Sequence, residues 1–231
     1  MLLKPKTIIL DLDGSLLDIS ERSVYAQYEA LRHLGYDVSL TNVKQHYRVG
    51  IGLLGIIKAL DITLTETELA DYIRACFRSF DDRTNAKKFT KLLPGVADVL
   101  TRLTQRYHLI LVTSRNALSL VEKELELFKL KRFFSLIVTR EVAAKFYEVE
   151  EIPILPFQEQ RTQLYRCVLA LTQINPREIL CVGDSIDELE PAKRLHMVTI
   201  GVLTGISTKG ELEKTADYVV HDLREIPPIL S

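Results

Sequence analysis

The chain reads as an α/β protein: a Rossmann-like parallel sheet with helices on both faces, interrupted by an inserted all-helical domain. Three observations carry this reading. Short β-rich runs, apolar almost throughout, recur along the sequence; helical patterns separate them; and one long stretch after the first run holds helical patterns and almost nothing strand-like. Continuous apolar runs suit strands covered on both faces. Alternation of strand and helix is the signature of a parallel sheet.

The expected strands are Thr7–Leu10, His108–Thr113, Phe133–Thr139, Glu178–Val182, Met197–Val202 and Ala216–Val220. Between them, "PGVADVLTRL" has Pro94 placed to start a helix and sets Val96, Val99, Leu100 and Leu103 on one side. "NALSLVEKELELF" and "RTQLYRCVLALTQI" follow the same pattern. The stretch from Ile19 to Thr90 departs from this rhythm. One helix there carries Val24, Tyr28 and Leu31 and stops at Gly35, a favourable C-terminal residue. Another opens with the capping box Thr65-x-x-Glu68 and carries Leu69, Ile73 and Phe77. The expected division is a core of residues 1–18 and 91–231 and a helical cap of residues 19–90. Two connections, near Leu17–Ser20 and Lys87–Leu92, would join the two and can act as a hinge.

Composition narrows the function. At 231 residues and 47% apolar, the chain can bury a substantial core. Thirty basic residues face thirty-one acidic ones, a net charge of −1, which gives no general attraction to nucleic acid or to an anionic membrane. Cys76, Cys167 and Cys181 lie far apart among apolar neighbours and read as buried, reduced thiols. No secretory leader and no membrane-length apolar run is apparent, so a soluble cytoplasmic protein is expected, as a monomer or homodimer.

Ligands of open parallel sheets bind beyond the carboxyl ends of the strands. The first strand ends at Asp11 and Asp13, the second in Thr113-Ser114-Arg115, and the fourth in Gly183-Asp184-Ser185 with Asp187 and Glu188 following; the third leads through an irregular segment towards Arg161. Each has a plain alternative. An Asp after a strand is usually a turn or cap, and Thr113 and Ser114 could cap a helix beginning near Asn116. Their joint occurrence at the ends of separate strands points instead to one site.

"DLDGSLLD" resembles motif I of the haloacid dehalogenase-like hydrolases, "LILVTS" motif II and "ILCVGDSIDELEPAK" motif IV; "LLPGVADVLTRL" resembles the segment after a helical cap inserted between motifs I and II. The resemblance to phosphoglycolate phosphatase-like members spans nearly the whole chain. It implies that Asp11 is the nucleophile, forming an aspartyl-phosphate, and that Asp13 protonates the leaving alcohol and then activates water. It further implies Mg²⁺ held by Asp11, Asp13 and Asp184, with Thr113 and Ser114 binding phosphate.

Two departures from the family pattern are visible. Motif III is usually a Lys; here Arg161, 23 residues before Asp184, has the right spacing to neutralise phosphate and grip it bidentately, with Lys145 as the reserve phosphate-binding residue. In motif IV, Glu188 stands where relatives place an Asp, with Asp187 an alternative support for the metal. In the insertion, Arg48 and Gly50 are candidates for touching the leaving group. The expected activity is Mg²⁺-dependent hydrolysis of a small phosphorylated metabolite. A sugar phosphomutase of the same fold and a non-catalytic binding or regulatory module are the alternatives.

Overall fold

The structure, a computed structural model, describes residues 5–47 and 53–230. It contains two compact units, one formed by Met1–Leu17 with Leu92–Ser231 and the other by Asp18–Lys91. Arg48 and Gly50 lie outside the described residues.

The first unit is built on a six-stranded sheet. Its strands are β1 (Thr7–Leu10), β2 (His108–Val112), β3 (Leu136–Val138), β4 (Ile179–Gly183), β5 (Val198–Val202) and β6 (Tyr218–Val220). All pairings are parallel, in the order β3-β2-β1-β4-β5-β6. This is the doubly wound order, whose ligand crevice opens where chain progression reverses, beside β1. All four β1 residues and all five β4 residues are buried, so both sheet faces are covered there. One face packs Ile9, Ile110, Val112, Val138 and Cys181 with Leu164, Tyr165, Cys167 and Val168 of the helix Phe157–Thr172.

The third apolar run contributes less strand than its sequence suggests. Lys131–Phe133 form a 3₁₀ turn, and only Leu136–Val138 pair with β2. The segment that follows is not wholly irregular. Arg140–Tyr147 is a helix whose N-terminus is capped by the Thr139 hydroxyl, which accepts from the Val142 N–H at 3.4 Å.

The second unit is helical over its described residues: Ser20–His33, Leu40–Tyr47, Leu53–Ala59, Glu66–Phe80 and Arg83–Phe89. It has its own core of Val24, Leu31, Val43, Ile56, Tyr72 and Cys76. The Thr65–Glu68 capping box is complete: the Thr65 side chain accepts from the Glu68 N–H while the Glu68 carboxylate accepts from the Thr65 N–H. The two chain connections pair as two-residue strands, Leu17–Asp18 with Lys91–Leu92. No described helix is long and apolar enough to cross a membrane.

Candidate active site

The site grows from the ends of three neighbouring strands. β1 delivers Asp11, whose N–H donates to the Val182 carbonyl of β4 at 3.1 Å. The chain then turns sharply. Gly14 adopts φ +81°, a left-handed conformation that side chains disfavour, and its N–H donates to the Leu17 carbonyl at 2.8 Å. β4 delivers Asp184, and the helix Ile186–Arg194 presents Glu188 one turn later. Oxygens of Asp11, Asp184 and Glu188 lie within 4.8 Å of one another.

Arg161 enters this cluster from the second turn of the helix Phe157–Thr172. It donates to Asp11 Oδ1 at 2.5 Å, to the Glu188 carboxylate, and to the Val112 carbonyl of β2 at 2.9 Å. Its guanidinium lies over the Tyr165 ring, 5.8 Å from the centroid. A planar fork can bridge two carboxylates and a carbonyl at once, which a lysine ammonium cannot match in geometry. Lys145 is not brought to the cluster. Its helix turns it outward, where its largely exposed ammonium pairs with Glu141 at 2.7 Å.

Burial dominates the electrostatics. Asp11 is held well above the usual carboxylate range, by burial first and by the Glu188 charge next. Burial, with the neighbouring Asp11 charge, pushes Asp184 up to about 7. Burial likewise pushes Glu188 up to about 7 despite the opposing pull of Arg161. Three carboxylates converge here, only Asp11 and Glu188 pair with the one guanidinium, and Asp11 Oδ2 is buried with no hydrogen-bond partner. A hard divalent cation bound by oxygen ligands fits that donor set and would relieve both the repulsion and the orphaned oxygen.

The Asp184 carboxylate is oriented by a backbone N–H. Its Oδ2 accepts from the Ile206 N–H at 2.8 Å and its carbonyl from the Ser207 N–H at 3.2 Å. Its own N–H donates to Glu188 Oε2 at 3.1 Å. Two glycines wall the carboxylate. A Cβ on Gly14 would sit 2.7 Å from it, and one on Gly205 would overlap it outright. The Thr204 hydroxyl ties these walls together by donating to the Gly14 carbonyl at 2.5 Å.

The remaining sequence-selected residues take distinct places. Thr113 is buried at the end of β2, and its hydroxyl accepts from the Arg115 N–H at 3.3 Å. The helix that follows starts at Leu118, with no side-chain cap. Ser114 offers its carbonyl to the Arg140 guanidinium at 2.9 Å. Asp187 accepts from the Gln158 amide at 3.2 Å, so of the two candidate acids it is Glu188 that joins the carboxylate cluster. Asp13 turns to Arg115, which donates Nε to Oδ2 at 2.8 Å and Nη2 to Oδ1 at 2.5 Å. Arg115 in turn donates Nη1 to the buried Glu124 at 2.5 Å. Sequence reasoning gave Arg115 and Glu124 no role. The available signal was an acid at Glu124 on the same helical face as the buried Val121 and Leu125.

The family model described as haloacid dehalogenase-like hydrolase matches residues 8–202. The chain belongs to that family. Among relatives of this hydrolase, a Bacillus mycoides protein named pyrophosphatase PpaX is 24% identical over 99% of this chain and 98% of its own length. A Vibrio vulnificus protein named phosphoglycolate phosphatase is 29% identical over 96% of this chain and 94% of its own. A solved structure of a haloacid dehalogenase-like family protein from Streptococcus pneumoniae covers 99% of both chains, with a TM-score of 0.76 at 16% identity. That last likeness establishes the shared fold.

Proposed function

We propose that this hydrolase is a Mg²⁺-dependent phosphatase that cleaves a small phosphorylated metabolite through an aspartyl-phosphate on Asp11. The observation that carries the reading is the orphaned Asp11 Oδ2, buried within a cluster of three carboxylates at the strand switch point. The named activities of the pyrophosphatase and phosphoglycolate phosphatase relatives support it.

Asp11, Asp184 and the Asp13 backbone carbonyl would hold Mg²⁺, with Glu188 supporting Asp184 from behind. Bound there, the ion would neutralise carboxylate and phosphoryl charge so that an anion can approach an anion. Asp11 forms a bond to phosphorus as the ester P–O bond breaks, and Asp13 gives its proton to the departing oxygen. Asp13 then takes a proton from water as the water oxygen attacks phosphorus. The Asp11–phosphorus bond breaks and inorganic phosphate leaves. Thr113 donates a hydrogen bond to a phosphoryl oxygen, and Arg161 favours the charged form of Asp11 against its burial and keeps it aimed.

The test is inorganic phosphate release across a panel that includes phosphoglycolate and pyrophosphate, with and without Mg²⁺ and without any bisphosphate activator. Wild type is expected to release phosphate only with Mg²⁺, and Asp11→Asn is expected to fall to background. No Mg²⁺-dependent release by wild type across the panel would overturn the reading in favour of a non-catalytic module.

A further inference from the structure

The carboxylates of motif I face different partners. Asp11 joins Asp184 and Glu188, whereas both oxygens of Asp13 are taken by Arg115. The Arg115 side chain is 7% exposed and the Asp13 side chain 25% exposed, so the guanidinium is the fixed member and the carboxylate the accessible one. Three constraints fix Arg115. Nη1 is held by the buried Glu124, the backbone N–H donates to the Thr113 hydroxyl, and β2 together with the helix Leu118–Leu127 supplies rigid supports on either side. A bidentate guanidinium–carboxylate pair fixes the plane of the carboxylate as well as its distance.

We propose that Arg115, anchored by Glu124, is the positioning residue for the proton-transferring carboxylate of Asp13. This rests on the phosphatase reading above. In this role Arg115 acts through Asp13 and takes no part in the bonds made or broken at phosphorus. It sets the rotamer and plane from which Asp13 reaches the leaving-group oxygen. During that transfer one of the two Arg115 N–H bonds yields an Asp13 oxygen to the ester oxygen, while the other keeps the carboxylate in place. The proton that Asp13 takes from water when the preceding aspartyl-phosphate is hydrolysed passes to the leaving oxygen as the P–O bond breaks, and no reactant besides that water is required.

Up to formation of the aspartyl-phosphate, the part of the cycle that kcat/KM reports, a residue acting only through Asp13 matters only when the leaving group needs a proton. The experiment compares kcat/KM for an alkyl phosphate turned over by wild type with kcat/KM for 2,4-dinitrophenyl phosphate, whose leaving group departs as a stable anion. The main variant is the double substitution Arg115→Gln with Glu124→Gln, which removes the guanidinium without stranding a buried carboxylate. Misplacing a catalytic group by about 1 Å can cost on the order of 100-fold. The double variant is therefore expected to lose about tenfold or more on the alkyl phosphate and less than about twofold on the dinitrophenyl ester. Arg115→Lys, which keeps the charge but not the fork, is expected to show the same split at a smaller size, and it carries the test alone if the double variant does not fold. Equal losses on both esters, or no loss on either, would overturn the positioning role while leaving the phosphatase reading intact. A wild type inert towards both esters with Mg²⁺ would instead overturn the phosphatase reading, and this inference with it.

Discussion

Arg161→Met removes the cation that, among the described residues, bridges Asp11 and Glu188, and with it the donor to the Val112 carbonyl. All the partners are buried, with side-chain exposures of 3% for Arg161, 5% for Asp11 and 12% for Glu188. Removing one partner of a buried ion pair typically costs about 3–5 kcal/mol, because the charge left behind is neither solvated nor paired. With a urea dependence of about 3 kcal/mol per molar, that loss lowers the unfolding midpoint by roughly 1–2 M. Two further readouts follow from the electrostatics. The deficit shrinks on acidification, since Asp11 and Glu188 can shed their charge by protonation. It also shrinks when Mg²⁺ is added, since a second cation replaces part of the missing charge. Lys145→Met serves as the control: its ion pair with Glu141 is exposed, and the midpoint should stay within error of wild type. Urea unfolding of the three proteins at two pH values, with and without Mg²⁺, makes the comparison. A loss below about 1 kcal/mol for Arg161→Met, independent of pH, would show that the carboxylate cluster does not depend on the guanidinium.

Two other outcomes are expected. Gly205→Ala places a methyl group on the Asp184 carboxylate, so Mg²⁺ activation of phosphate release should be lost while the far-ultraviolet circular dichroism stays unchanged; retained activation would show that the loop yields without moving Asp184. Asp184 and Glu188, raised to about 7 by burial, bind protons in the folded state that the unfolded chain releases near pH 4. Metal-free stability therefore falls as pH rises from about 4 to about 7, and Mg²⁺, which needs the ionised acids, should raise the melting temperature more at pH 8 than at pH 6; a shift independent of pH would refute the coupling.

The sheet was readable because its strands are short apolar runs with both faces buried, a pattern that survives without knowledge of neighbours. Phe133–Thr139 ran long because apolar character alone does not mark where pairing with β2 ends. The helix Arg140–Tyr147 was hidden for a different reason. Its buried face is made of Ala143, Ala144 and Arg140, and the Arg140 guanidinium donates to the distant carbonyls of Ser114 and Ile152. Asp11 and Asp184 were legible as acids at strand ends. The pairing of Arg115 with Asp13 spans 102 positions, and nothing local announces it. The exclusion of side chains at Gly205 depends on a carboxylate 21 positions earlier, which a glycine in a loop cannot advertise.

The central place of β1 has a consequence for how the molecule matures. Its two neighbours come from residues 108–112 and 179–183, so the reactive cluster is stitched from segments roughly a hundred positions or more from the first. Contacts at such separation form late and slowly. The first strand therefore waits for residues 108–112 and 179–183 before both its edges are paired, whereas the helical unit of residues 18–91 draws its interior from a contiguous stretch. Catalytic competence emerges only when the fourth strand docks, which ties any activity of this hydrolase to near-completion of its central sheet.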